Sequence, residues 1–201
     1  MASKWTTDRA RYLYKDRYLN HRIDRCRTEK GVVVDPYHVV EYRDWINVVA
    51  VTPQLDLLLV REYRHAGGFV ATGLPSGTFE DGDDALSCAR RELREETGGL
   101  APHWFATTTF FANPAVQTNQ VHCFLALDVE RVADTDFDES EEIETVPTPV
   151  TTVYRDLLSG RVLVQGLHLA SLYAAAAYVR GSSDPMLAPF RDAIERAYLD
   201  G

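Results

Sequence analysis

The chain has 201 residues, 45% hydrophobic and 25% charged, an ordinary globular composition with enough length for a real core. Its formal net charge of −9 argues against general nucleic-acid binding, which needs a basic surface. Cys26, Cys88 and Cys123 are scattered, with no CxxC pair and an odd count, so they point to buried or free thiols of a reducing cytosol, with no disulfide framework or zinc site. The charged start, MASKWTTDRARYLYKDRYLNH, has no apolar run, so no signal peptide is expected. No later stretch is as long as a membrane span, and the expected location is cytoplasmic.

In chain order, Tyr18 to Arg27 and Val32 to Tyr42 read as two strands joined at Glu29-Lys30-Gly31. A hairpin of this size is marginal alone and must pack on something. Trp45 to Thr52 and Leu55 to Val60 are apolar strands around a Pro53-Gln54 turn, apolar enough to be buried on both faces. Arg61-Glu62-Tyr63-Arg64-His65 follows, then a flexible Gly67-Gly68 loop and the approach Leu74-Pro75-Ser76-Gly77.

Next comes the stretch with chemical content, GTFEDGDDALSCARRELREETGGL, from Gly77 to Leu100. On a helix, Glu92, Glu95 and Glu96 crowd one face, while Leu86, Ala89 and Leu93 form an apolar stripe on the other. Asp83 or Asp84 can cap its start, and Gly98 can supply the left-handed residue that ends it. Glu95 and Glu96 fall in the last turn, where the helix dipole disfavours acids by roughly 0.3–1 kcal/mol each. A divalent cation would reverse that sign, since hard cations take carboxylate oxygens. A solvated acidic face is the alternative reading.

Trp104 to Phe111 and Gln120 to Val129 are further strands around a polar loop. In that loop Asn113 and Asn119 can donate amides to a sugar or base, or simply make turns. Asp134 to Glu144 is a second acidic run. Thr151 to Leu158, the Ala-rich Leu167 to Val179, and the amphipathic Pro185 to Leu199 read as helices. No internal repeat and no long linker is visible.

The segment around the acids resembles the signature of the Nudix hydrolases: a Gly, an acid, then R-E-aliphatic-x-E-E-x-G-aliphatic. Gly77, Arg91, Glu92, Leu93, Glu95, Glu96 and Gly98 fall on that pattern. Asp83 stands where the family usually has Glu, and Gly99 takes the aliphatic position. The resemblance is nearest to the branch that splits ADP-ribose and ADP-sugars, although this chain has Gly73 where that branch often has Glu.

The resemblance implies an α/β fold, an α/β/α sandwich with a mixed central sheet and an N-terminal β-hairpin arm. It implies a dimerisation arm over 1–43, a hydrolase domain over 44–180 and a C-terminal helix over 181–201. The implied reaction is Mg²⁺- or Mn²⁺-dependent hydrolysis of the pyrophosphate bond of a nucleoside diphosphate sugar by a homodimer. Glu92, Glu95 and Glu96, with the Ser76 carbonyl, would hold metal, and Arg91 would orient the glutamates. Arg64 and, more weakly, Arg61 would contact phosphate or ribose, with Asn113 a further substrate contact. Glu139 would be the general base, with Glu141 and Glu142 as rivals. Nucleoside triphosphates, coenzyme A, capped RNA and dinucleoside polyphosphates are alternative substrates. A non-catalytic nucleotide-sugar-binding module is the reading that Asp83 favours and the intact glutamates oppose.

Overall fold

The computed structural model describes residues 3–135, 142–160 and 165–199. It divides into two compact units, Met1–Asp44 with Phe110–Val121, and Trp45–Thr109 with His122–Gly201.

In the first unit, strands β1 (Thr6–Lys15), β2 (Asn20–Arg27) and β3 (Val33–Glu41) form an antiparallel sheet in the order β1-β2-β3. The sequence reading gave the second and third strands and missed the first. All ten residues of β1 are exposed, so no buried alternation marks it. Its backbone ladder with β2 holds it, and cross-strand charge adds to that: Asp8 meets Arg27 at 2.7 Å and Arg25 at 3.9 Å. Arg22 lies between Glu41 and the buried Asp24. The 110–121 loop joins this unit through the Val40 N–H, which donates to the Val116 carbonyl, and the Thr118 N–H, which donates to Val40.

In the second unit the chain runs through β4 (Trp45–Val51), β5 (Asp56–Arg64), β6 (Phe69–Gly73), β7 (Ser76–Thr78), α1 (Ala85–Thr97), β8 (Gly99–Leu100), β9 (His103–Phe111) and β10 (Gln120–Leu127). It continues with β11 (Glu130–Arg131), β12 (Ile143–Pro149), α2 (Val150–Leu158), α3 (Gly166–Gly181), a 3₁₀ turn (Pro185–Leu187) and α4 (Ala188–Leu199). The principal sheet has the order β12-β5-β4-β10-β9, with β6 on β5 and β7 on β4.

Alternation along the central strands builds two cores. Val49, Val51, Leu57, Leu59, Leu125 and Leu127 face α2, α3 and α4. Their neighbours Ile46, Val48, Ala50, Leu58, Phe124 and Ala126 face Cys88, Ala89 and Leu93 of α1. Period-two side chains, apolar on both faces, need helices on both sides. The expected α/β/α sandwich with a mixed multi-strand sheet is what forms. The C-terminal helix contributes Phe190, Ala193, Ile194 and Ala197 to the first core. No helix among the described residues is long and apolar enough to cross a membrane.

Strand β12 is a second element the sequence did not announce. It carries Pro147 and Pro149, which weaken any strand reading, but it pairs antiparallel with β5 at the sheet's edge, where missing N–H groups are tolerated.

Candidate active site

Helix α1 begins at Asp84, whose carboxylate accepts from the Leu86 and Ser87 N–H groups, both at 2.9 Å. It ends at Gly98, whose φ of 67° lies in the left-handed region open to glycine. The last turn keeps its acids: Arg94 is its basic residue, and Glu95 and Glu96 stand beside it. The Glu96 carbonyl, an orphan acceptor at this end, takes a hydrogen bond from the Thr145 hydroxyl at 3.0 Å. Strand β12 thus helps to fix the helix end.

Arg91 gathers Asp83, Glu92 and Glu95, and the Ser76 N–H holds Glu96. Arg91 Nη1 lies 2.9 Å from Glu92 and 3.0 Å from Glu95. Its Nη2 donates to the Thr78 carbonyl at 3.2 Å and meets Asp83 at 3.3 Å. Asp83, though one methylene shorter than glutamate, therefore still reaches the arginine. Burial works against the Arg91 charge, but Glu92 and Glu95 outweigh it and raise its pKa further. Arg91 Nε is buried with no hydrogen-bond partner among the described residues. Glu96 is only 6% exposed and accepts from the Ser76 N–H at 3.0 Å. Cys88, next to this network, is no nucleophile, because burial and then Glu92 push its thiol up to about 12.

Gly77 explains the glycine of the pattern. A Cβ built there would fall inside the Glu92 carboxyl group, so the acid lies against a bare α-carbon. Among the described residues no group of three or more His, Cys, Asp or Glu side chains converges as a ready-made metal cage. Arg91 and the Ser76 N–H take up the carboxylates separately. The donor set nonetheless suits a hard cation: Glu92 in the Gly77 cradle, Glu96 anchored at Ser76, Glu95 on the same network, and main-chain oxygen at Ser76.

Two cavities border these residues. One, of about 590 Å³, lies along the outer side of α1 and is lined by Arg90, Arg91, Arg94 and Glu95 among others. The other, of about 210 Å³, is lined by Trp45, Asn47, Arg64, Ser76, Gly77 and His168 among others. Arg64 thus shares a cavity with Ser76, and its charge is partly answered by Glu62 at 2.9 Å.

The other expected residues are placed differently. Arg61 does not line that cavity; it pairs at 3.1 Å with Glu144 across the β5–β12 ladder, both exposed. Asn113 is an exposed turn residue of the first unit whose carbonyl accepts from Val116 and Gln117. Asn119 is buried with neither amide atom partnered among the described residues. Glu139 and Glu141 lie outside the described residues, and Glu142 is exposed.

Sequence reasoning missed His168 and Asn47. The His168 ring, 3% exposed, covers the α-carbon of Gly73, and its Nδ1 accepts from the Leu74 N–H at 3.1 Å. Asn47 Nδ2 donates to Ser171 Oγ at 2.9 Å and to the Leu167 carbonyl at 3.3 Å, which pins α3 to β4. The one local signal was Gly73 itself, a residue without a side chain where bulk is expected.

Burial, and then the Arg64 charge, push the His168 imidazole from 6.5 down to about 4. Between those values the unfolded chain binds a proton that the fold refuses, so stability falls as pH drops from about 6.5 to about 4. The whole window is worth about 3 kcal/mol. Urea unfolding at pH 7 and 4.5 is expected to show a larger acid loss for the wild type than for His168→Gln. Equal losses would mean that His168 does not titrate in this way.

Residues 8–157 match the family model for the NUDIX domain. The chain is 28% identical over 166 residues to an ADP-ribose pyrophosphatase of Mycobacterium tuberculosis, covering 82% of this chain and 79% of that protein. It is 29% identical over 109 residues to an ADP-ribose pyrophosphatase of Bacillus subtilis, covering 54% of this chain and 59% of that protein, less than two thirds of its length. A methanol dehydrogenase activator of Bacillus methanolicus is 24% identical over 136 residues, 66% of this chain and 73% of that protein. A crystal structure of an ADP compounds hydrolase superposes with a TM-score of 0.78 at 20% identity, covering 91% of this chain and 98% of that one, a likeness of fold.

Proposed function

The chain belongs to the NUDIX domain family, whose model spans most of its length, and from that premise we propose that it hydrolyses the pyrophosphate bond of a nucleoside diphosphate sugar such as ADP-ribose. The observation that carries this reading is the set of carboxylates at the end of α1, Glu92, Glu95 and Glu96, tied by Arg91 and the Ser76 N–H to the approach loop. Similarity to two proteins named ADP-ribose pyrophosphatase supports the substrate class.

Glu92, Glu96 and the Ser76 carbonyl would hold Mg²⁺ or Mn²⁺, with Glu95 on a second ion or its water. Such an ion supplies Lewis-acid polarisation and lowers the pKa of bound water. The protein's own groups do the positioning. Arg91 holds Glu92 and Glu95 in register, and Arg64 offsets phosphate charge with a planar fork suited to two oxygens. Glu139 takes the proton of the attacking water, with Glu141 and Glu142 as rivals.

A panel of ADP-ribose, nucleoside triphosphates, coenzyme A, capped RNA and dinucleoside polyphosphates in Mg²⁺ or Mn²⁺ tests the substrate. AMP released from ADP-ribose at the highest kcat/KM is the expected result. Preference for another nucleotide would overturn the substrate class. Calorimetric binding of ADP-ribose without hydrolysis in either metal would replace the enzyme with a binding module.

The working form is a cytoplasmic homodimer joined through the three-stranded arm. Strand β1 is an edge strand exposing all ten residues, including Tyr12, Leu13 and Tyr14, and such an edge seeks a cover. A monomeric mass by light scattering at micromolar concentration would refute the dimer.

A further inference from the structure

His168 has a feature that its structural role leaves unused. The Leu74 N–H can only donate, so the Nδ1 it bonds carries no proton. The neutral ring must then carry its hydrogen on Nε2. Burial and Arg64 hold the pKa near 4, so this tautomer persists at neutral pH. The ring is 3% exposed and lines the 210 Å³ cavity, and the hydrogen bond it makes among the described residues is at Nδ1. With Nδ1 taken by the backbone, Nε2–H is the ring donor left to serve the cavity that His168 lines.

The surroundings select the ligand. His168 is the third residue of α3, and the first α3 N–H with a helical bond is Leu169, to the Gln165 carbonyl. The N–H groups of Gly166, Leu167 and His168 precede that bond, no side chain among the described residues caps them, and the first turn carries no acid. Gln165 and Leu167 line the same cavity, as does Arg64. Asn47 fixes this turn by holding the Leu167 carbonyl and the Ser171 hydroxyl. A buried neutral donor, a guanidinium and the positive end of a helix are thus brought to one small space, which favours an anionic oxygen.

We propose that His168 Nε2–H and the first turn of α3 form, with Arg64, an oxyanion subsite that holds a phosphate oxygen of the substrate. The inference rests on the reading of this cavity as part of the substrate site, and it assigns His168 a direct substrate contact. Gly73 is then required because the imidazole occupies the space above its α-carbon. The hydrogen bond to a charged oxygen is made before and during reaction alike, so its loss raises KM more than it lowers kcat.

The test uses the full chain labelled with ¹⁵N-histidine. Inorganic phosphate and then AMP are titrated while the His168 ring signals are followed, and KM and kcat are measured for His168→Phe and His168→Gln. The expected result is a saturable shift of the Nε2–H signal with unchanged tautomer, and a KM for ADP-ribose raised roughly tenfold in His168→Phe, with kcat nearly kept. Gln, which retains an N–H donor, is expected to recover part of the loss. If His168→Phe does not fold, the wild-type titration decides alone. A ring signal indifferent to saturating phosphate and AMP overturns the subsite, as does an unchanged KM in a folded His168→Phe. A saturable shift in a protein that hydrolyses no nucleoside diphosphate sugar supports the subsite and removes the proposed reaction instead.

Discussion

Glu96→Gln is expected to lower metal-dependent turnover by about 10³-fold, roughly 4 kcal/mol of transition-state stabilisation. The change is nearly isosteric, and a glutamine oxygen can still accept from the Ser76 N–H that Glu96 meets at 3.0 Å. What disappears is the negative charge, in a side chain only 6% exposed, where charge on a cation counts for far more than it does in bulk water. Unfolding free energy is expected to stay within about 1 kcal/mol, because an acid in the last helical turn opposes the dipole and its removal relieves that cost. Steady-state turnover in rising Mg²⁺ and a urea curve together give the answer. Near-normal turnover of the variant in excess Mg²⁺ would remove Glu96 from the metal site.

The core elements were legible because they are periodic. The alternation in Trp45–Val51 and Asp56–Arg64 serves two hydrophobic cores at once, and a strand apolar on both faces has few other fates. Helix α1 was legible almost to its caps: Gly98 stops a helix by its local chemistry, while Asp83 and Asp84 both offered a start and the fold uses Asp84. Strand β1 was hidden because no face of it is buried and its cross-strand partners on β2 are charges, which leave no apolar alternation to read. Strand β12 was hidden by Pro147 and Pro149, which only its edge position makes acceptable.

The site divides along the same line. Glu92, Glu95, Glu96 and Arg91 are helix neighbours, so their spacing alone brings them together. Arg64 is near in sequence and falls in the cavity with Ser76, whereas Arg61, three residues earlier on the opposite face of β5, pairs with Glu144 instead. His168 reaches Leu74 across 94 residues from an Ala-rich helix whose pattern reads only as core. Contacts of that range are written in the fold and not in any local stretch.

Two glycines of the approach segment separate fold from chemistry. In Gly77→Ala the new Cβ falls on the Glu92 carboxyl group, the far end of a flexible side chain. Glu92 can swing aside, and alanine also lowers the entropy of the unfolded chain, by about 0.4–1 kcal/mol where its conformation is allowed. Stability should therefore change little. Turnover should fall by about 10²-fold, because an acid displaced by an ångström or so no longer meets its ligand. In Gly73→Ala the Cβ falls on the His168 ring, which is 3% exposed and held by the Leu74 N–H, so it has nowhere to go. That overpacking is expected to cost about 1–3 kcal/mol of stability. Denaturant midpoints and kcat measured on both variants should separate them, with Gly77→Ala folded but slow and Gly73→Ala the less stable, its KM rising only as far as the displaced His168 ring loosens its hold on substrate. Full turnover in Gly77→Ala would show that Glu92 does not need the bare α-carbon, and the cradle would cease to explain why a glycine stands there.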